Sequence, residues 1–350
     1  MRKFTGFGST YDIRLRAALL LFLLLLSLMA AGCTQGDGSL VLRTITQENR
    51  PPVCRVVCTI FPPYDWVRQI LGDGAEDIDL TLLLNSGMDL HSFQPSVDDI
   101  VKISGCDLFI YVGGLSDNWA EDALREAVNK NMLVINLLDR LGEAAKAEEI
   151  IEGMEEEDEE GEDVNGRDER DEYDEHVWLS LKNAQIFCTA IADALSSLNP
   201  DNAEIYRANL EAYLEKLSAL DAEYLAAVNA APVKTLLFGD RFPFRYLADD
   251  YKLDYYAAFP GCSAETEASF ETVIFLTGKV DELGLTNILV TESSNKKVAE
   301  TIIRESKDKN RQILILDSMQ SVDATDIAAG LTYLSIMKNN LTVLKKAINN

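Results

Sequence analysis

The sequence predicts two α/β lobes with mainly parallel sheets, joined by one long rigid helix. Three observations carry this. The chain has 350 residues of which 47% are hydrophobic, too many for one ordinary core and enough for two. Short runs rich in Val, Ile and Leu alternate with longer helix-like segments in both halves, the pattern of a parallel sheet with crossover helices. Between the halves lies a segment whose apolar residues recur at helical spacing over roughly seven turns.

The elements follow in order along the chain. Residues 1–33 read as a signal peptide: Arg2, Lys3, Arg14 and Arg16 precede the run AALLLFLLLLSLMAAGC. That run is shorter than the roughly 20 apolar residues a hydrocarbon span needs, and it ends in small residues. LMAAGC resembles a bacterial lipoprotein signal, in which Cys33 becomes the lipid-bearing first residue. Leu28 stands further from Cys33 than such signals usually have it, and Ala30 takes its place; ordinary cleavage or a short retained anchor are the alternatives. Residues 34–52 are polar and end in NRPP, which reads as a flexible tether.

The N-terminal lobe is expected over 53–199. RVVCTIF, LTLLL, DLFIYVG and MLVINLL are its strand candidates, with helices at 64–71, 96–103 and 181–198. Residues 152–175 interrupt the pattern with 15 acids and 2 arginines. So acidic a stretch has too little apolar surface to bury and is expected to be disordered. Residues 200–231 form the linking helix, with Ile205, Leu210, Tyr213, Leu214, Leu217, Leu220 and Leu225 near one face. The C-terminal lobe, 232–350, repeats the alternation with strands at KTLLFG, LDYYAAF, NILVTE and QILILD and helices at 242–250, 269–283, 296–307 and 327–347. The two halves share architecture and no residue-level repeat.

The formal charge of −26 argues against a nucleic-acid partner, because phosphate binding needs basic residues to displace counterions. A cationic ligand suits it better. Beyond Cys33 five cysteines remain: Cys54, Cys58, Cys106, Cys188 and Cys262. Their spacing is unlike a structural zinc site, so they read as small buried hydrophobes with at most a disulfide among them, and an odd number leaves at least one unpaired within the chain.

Ligands of parallel α/β sheets bind beyond the carboxyl ends of strands. Ionisable residues that directly follow the apolar runs are Asp240, Glu292 and Asp317, while His91 lies on the loop after LTLLL and His176 opens the segment after the acidic stretch. Only two histidines occur in the whole chain. Taken singly, each has a plain structural role open to it, since an isolated histidine is commonly a hydrogen-bonded surface or core residue and an acid after a strand commonly caps the next helix.

The surrounding sequence narrows this. VVCTIFPPYDWVRQILGD, then LTLLLNSGMDLHSFQPSVDDIVKISGCDLFIYVGG, then DEHVWLSLKNAQ together resemble the zinc and manganese receptor family of ABC importers. The resemblance runs on through PDNAEIYRANLEAYLEKL, GCSAETEASFETVIFL and ESSNKKVAETIIRE to LILDSM, covering the chain from Val56 onward apart from the acidic stretch. It implies a metal cleft between the lobes with two ligands from each. By position His91 and His176 match the N-terminal-lobe ligands and Asp317 the C-terminal-lobe aspartate; Leu90 and Glu175 stand where the family has proline. The fourth ligand, a histidine or glutamate in the family, is missing. Strand-end position nominates Asp240, whereas counting back from YLADDY puts Arg241 in the slot, which cannot coordinate a cation. Glu267 or water are alternatives, and Glu292 is expected to support the ligands.

The resemblance thus implies an extracytoplasmic, lipid-anchored, monomeric receptor that passes zinc, or second to it manganese, to the permease and ATPase subunits of an importer. The acidic stretch would either concentrate cations near the site or be a solvated, tolerated insertion. HExxH, GxSxG and P-loop motifs are all missing from the sequence, so an enzyme is not expected. A lipid-anchored surface adhesin of the same fold is the alternative, with a zinc-dependent hydrolase using Glu292 as base behind it.

Overall fold

A computed structural model describes residues 54–75, 78–155, 173–263 and 267–349. Cys33, the tether and residues 156–172 of the acidic stretch lie outside them. Two four-stranded sheets stand one in each half, in the orders β2-β1-β3-β4 and β6-β5-β7-β8. The first is built from β1 (Cys54–Cys58), β2 (Ile78–Leu82), β3 (Leu108–Tyr111) and β4 (Leu133–Asn136), the second from β5 (Thr235–Phe242), β6 (Asp254–Pro260), β7 (Asn287–Val290) and β8 (Gln312–Ile315). All neighbours pair parallel. Both sheets have the same order counted from their first strand, so each has its switch point beside that strand.

Around the first sheet lie α1 (Phe61–Leu71), α2 (Val97–Gly105), α3 (Asn118–Arg125) and α4 (Leu137–Leu141), followed by α5 (Leu181–Leu198). Pro62 and Pro63 sit in the first turn of α1, where their missing N–H groups have no helical partner to lose. A capping box between Ser96 and Asp99 starts α2. The second half adds α7 (Arg245–Tyr251), α8 (Phe270–Glu282), α9 (Lys297–Glu305), α10 (Ala324–Ala328) and α11 (Tyr333–Ile348). Sequence periodicity placed the last two in one helix over 327–347. Gly330 breaks it with φ +90°, and a capping box between Thr332 and Ser335 starts α11 afresh. The helix expected from 242 begins later because β5 continues to Phe242, with a register shift between Phe238 and Arg241.

Between the sheets runs α6 (Ala203–Ala230), 28 residues long, or about 42 Å at the α-helical rise. It buries Tyr206, Leu210, Tyr213, Leu217, Leu220, Tyr224 and Val228, each contributing about 1.5–3 kcal/mol of burial before ordering entropy is counted. Ile205 and Leu225, expected on that face, are 42% and 47% exposed; Tyr206 and Tyr224 take their places, turning aromatic bodies inward. Helices α1, α5 and α11 pack on α6, and one apolar cluster draws on residues from both sheets.

Buried hydrogen bonds stitch the halves around this spine. Tyr333 N–H donates to Asp65 Oδ2 at 2.9 Å, and its hydroxyl to the Trp178 carbonyl at 2.8 Å. The Trp178 indole donates to the Ser318 carbonyl at 2.9 Å, and the Tyr224 hydroxyl to the Met337 carbonyl at 2.7 Å. Among the described residues no helix is long and apolar enough to cross a membrane.

Candidate metal centre

The loop after β2 carries a single 3-10 turn, Leu90–Ser92, whose N-cap Asp89 accepts from the His91 N–H at 3.0 Å. This fixes the His91 backbone. At the C-terminal end of the acidic stretch Asp174 and Glu175 are buried, as is His176 after them. Met154, at the other end of the stretch, is buried too. The ends of the stretch expected to be disordered are thus part of the folded body.

The two imidazoles meet. His91 Nε2 lies 3.2 Å from His176 Nε2, with His176 fully buried. On the far side of each ring stands a carboxylate. His176 Nδ1 is 3.0 Å from Asp174 Oδ1, and His91 Nδ1 is 3.3 Å from Glu175 Oε2 and 2.8 Å from the Ser116 hydroxyl. A carboxylate at Nδ1 keeps the ring proton there and leaves Nε2 with its lone pair free, the arrangement that orients a metal-binding histidine. Two such lone pairs pointing at each other repel unless a proton or a cation lies between them.

Burial disfavours a charged His91, yet the Glu175 hydrogen bond and the charges of Glu175 and Asp89 outweigh it and hold the ring's pKa above its ordinary value. Burial would raise Glu175 as well, but His91 and Ser116 win and keep it ionised below the usual carboxylate range. The Ser116 N–H donates to Glu175 Oε1 at 2.8 Å. Gly114, at φ +81°, leaves room for this carboxylate: a Cβ there would stand 2.4 Å from Glu175 Oε1.

The C-terminal lobe presents a different chemistry. Asp240 Oδ2 accepts the Thr291 N–H at 3.0 Å and its hydroxyl at 2.6 Å. Asp317 Oδ1 accepts the Met319 N–H at 2.8 Å, supporting a residue held at φ +66°, a conformation unfavourable to side-chain-bearing residues. Burial and the neighbouring Glu292 push the Asp317 carboxyl up to about 7. Glu292 accepts from the Ser318 N–H and hydroxyl and from the Gln320 N–H, gripping the loop that carries Gln320, whose amide nitrogen lies 3.2 Å from His176 Nε2. Glu267 is exposed.

Arg241, at the carboxyl end of β5, reaches across the junction. Its Nη2 lies 2.6 Å from Asp89 Oδ2 and its Nη1 donates to the Ser263 carbonyl at 3.1 Å. Burial would raise Asp89, but Arg241 and then His91 pull it below its ordinary range. Beside this tie a cavity of about 290 Å³ opens at the junction, lined by Asp89, His91 and Ser92 on one side and Asp240, Arg241 and Asn295 on the other.

Among the described residues, the group of potential metal ligands is His91, His176 and Cys262, whose ligand atoms all lie within 4.8 Å of one another. The structure brings together the two histidines singled out by sequence and does not bring Asp240, Asp317, Glu292 or Glu267 into that group. Cys262 carries no signal in the sequence, because its neighbours in the group are histidines far away in the chain and not a second cysteine. All five are free: Cys54, Cys58, Cys106 and Cys188 are buried, and Cys262 is partly exposed. Asp174, Glu175 and Gln320 also escaped the sequence reading; the two acids looked like the tail of a solvated charge run.

A family model described as zinc-uptake complex component A, periplasmic, matches residues 56–347. The zinc-binding protein AdcA of Streptococcus pyogenes is 28% identical over 292 residues, covering 83% of this chain and 55% of that protein, so the chain spans about half the length of this curated relative. The high-affinity zinc uptake system protein ZnuA of Bacillus subtilis is 31% identical over 293 residues, covering 84% and 87%. The crystal structure of the Zn(II)-bound ZnuA-like domain of Streptococcus pneumoniae AdcA has a TM-score of 0.65 at 27% identity, covering 85% of this chain and 99% of that one.

Proposed function

We propose a zinc receptor role for this chain, which belongs to the periplasmic zinc-uptake complex component A family. On this reading it captures zinc outside the cytoplasm and passes it to the permease and ATPase subunits of an ABC importer. It is a receptor and not an enzyme, and the ion is cargo. The supporting observation is the opposed pair of Nε2 atoms 3.2 Å apart, each ring held from behind by a carboxylate. A tetrahedral zinc with nitrogen ligands at its usual distance sets neighbouring donors about 3.3 Å apart, so the ion fits between these rings with almost no movement.

Capture proceeds through the junction cavity that His91 lines. The incoming ion takes the place between the two rings, and the carboxylates of Asp174 and Glu175 offset the charge now buried. We assign His91 and His176 as ligands; Cys33 is the proposed lipid-bearing residue, and the receptor acts as a monomer. The acidic residues 152–172 raise the local cation concentration. Metal analysis and calorimetry on the purified protein test the reading, with His91→Ala and His176→Ala as controls. Zinc at one equivalent, lost in both variants, is expected; a wild-type protein that takes up no zinc, or variants that bind it unchanged, would overturn it.

A further inference from the structure

We propose that Cys262 is the C-terminal lobe's zinc ligand, its thiolate completing a site with the two imidazoles. This rests on the receptor reading and names the donor that reading lacks.

None of the carboxylates that follow the C-terminal strands belongs to the group of potential ligands formed around the two histidines. Asp240 holds Thr291, Asp317 holds Met319, and Glu292 holds the 318–321 loop. The residue after Asp240 is an arginine tied to Asp89, and a guanidinium repels a metal ion. Cys262, by contrast, lies on the turn directly after β6, the strand that pairs with β5 at Arg241↔Phe259 and Phe242↔Pro260. A donor absent at the end of one strand is therefore supplied at the end of its neighbour. Its backbone is pinned: the Cys262 N–H donates to Glu148 Oε1 at 2.8 Å, and Arg241 grips the next residue's carbonyl.

Gly261 lets this turn come close. A Cβ there would stand 3.2 Å from the His176 ring and 2.9 Å from the Phe242 carbonyl. Sγ thus sits within 4.8 Å of a ring nitrogen of each histidine, and a tetrahedral zinc places sulfur about 3.6 Å from such nitrogens, so the sulfur has to approach by at most about 1.2 Å. Gln320 closes a further side; its Oε1 is buried without a partner, and its Nε2 faces His176. Arg241 acts as a positioning residue, holding the Cys262 turn and the His91 loop to each other across the junction.

On binding, the sulfur–hydrogen bond breaks, the proton leaves to water, and the sulfur lone pair forms the bond to zinc. Two imidazoles and a thiolate form a softer set than two imidazoles and two carboxylates, which favours zinc over manganese.

The test uses cobalt(II) as an optical substitute for zinc in the full chain. A thiolate-to-cobalt charge-transfer band in the near ultraviolet is expected for the wild type and is lost in Cys262→Ser and Cys262→Ala, while zinc affinity drops at least about tenfold. Iodoacetamide labelling read by mass spectrometry checks the native residue without substitution: zinc should protect Cys262 in the wild type and fail to do so in His91→Ala. A cobalt complex without the band, or Cys262 alkylated equally fast with and without zinc, overturns the thiolate while leaving the receptor intact. No cobalt or zinc uptake by the wild type overturns both.

Discussion

The two lobes share a strand order and face each other across one junction, yet they handle charge in opposite ways. On the N-terminal side, Asp174 and Glu175 back two histidines and leave their inner nitrogens free. On the C-terminal side, Asp240, Asp317 and Glu292 turn to backbone amides and brace loops. A carboxylate keeps lone pairs to spare after one or two such bonds, so what separates these acids from the site is where their loops hold them, outside the group formed by His91, His176 and Cys262. The contrast teaches that a strand-end acid is read correctly only once its hydrogen bonds are known.

Replacing either imidazole should break the comparison outright. His91→Ala and His176→Ala are expected to bring zinc binding below detection by calorimetry, and the rise in melting temperature that zinc gives the wild type should vanish. Removing the backing carboxylates comes next. Asp174→Asn and Glu175→Gln should each weaken zinc binding by about 10–100-fold, seen in competition with a chromophoric chelator, with the metal stoichiometry unchanged.

Acidity gives a third measure. His91 is held above its ordinary pKa, so its protonated form stabilises the metal-free fold at low pH, and that contribution is lost as pH rises through the raised value. Zinc needs the neutral ring, so its affinity moves the other way. It should climb as pH rises through and beyond the histidine range, by up to about tenfold per pH unit for each proton displaced; calorimetry in a pH series reads this directly, and a flat profile would contradict the paired-imidazole site.

The smallest effect on binding is expected from the far side. Asp240→Ala should leave zinc affinity nearly unchanged while destabilising the fold by about 1–3 kcal/mol, because the Thr291 donors lose their acceptor. Urea unfolding and calorimetry on one preparation separate the two. A collapse of binding as large as in the histidine variants would restore Asp240 as a ligand and reverse the contrast between lobes.

Much of the fold was legible. The apolar runs anticipated all eight strands of the two sheets, because parallel strands covered by helices are short and rich in apolar residues. His91 and His176 could be singled out because histidine is so scarce here. Other features were hidden by their dependence on tertiary pairing. Glu175 precedes His176 in sequence but serves His91, and Cys262 reaches the site only because β6 lies beside β5. Arg241 looked like an obstacle to a metal site; in three dimensions it is the cross-brace that holds two site loops together.

The hydrogen bonds buried around α6 bear on how fast the cargo can move. Swinging the halves apart would sever the contacts from Tyr333 to Asp65 and Trp178 and from Trp178 to Ser318. Each donor or acceptor stranded in the dry interior costs about 1–3 kcal/mol, several times thermal energy. A clamshell motion is therefore the expensive route, and displacement of the short segments that line the junction cavity is the cheaper one. On the proposed receptor role, residence time would then be set by those short segments, with the girder behind them undisturbed.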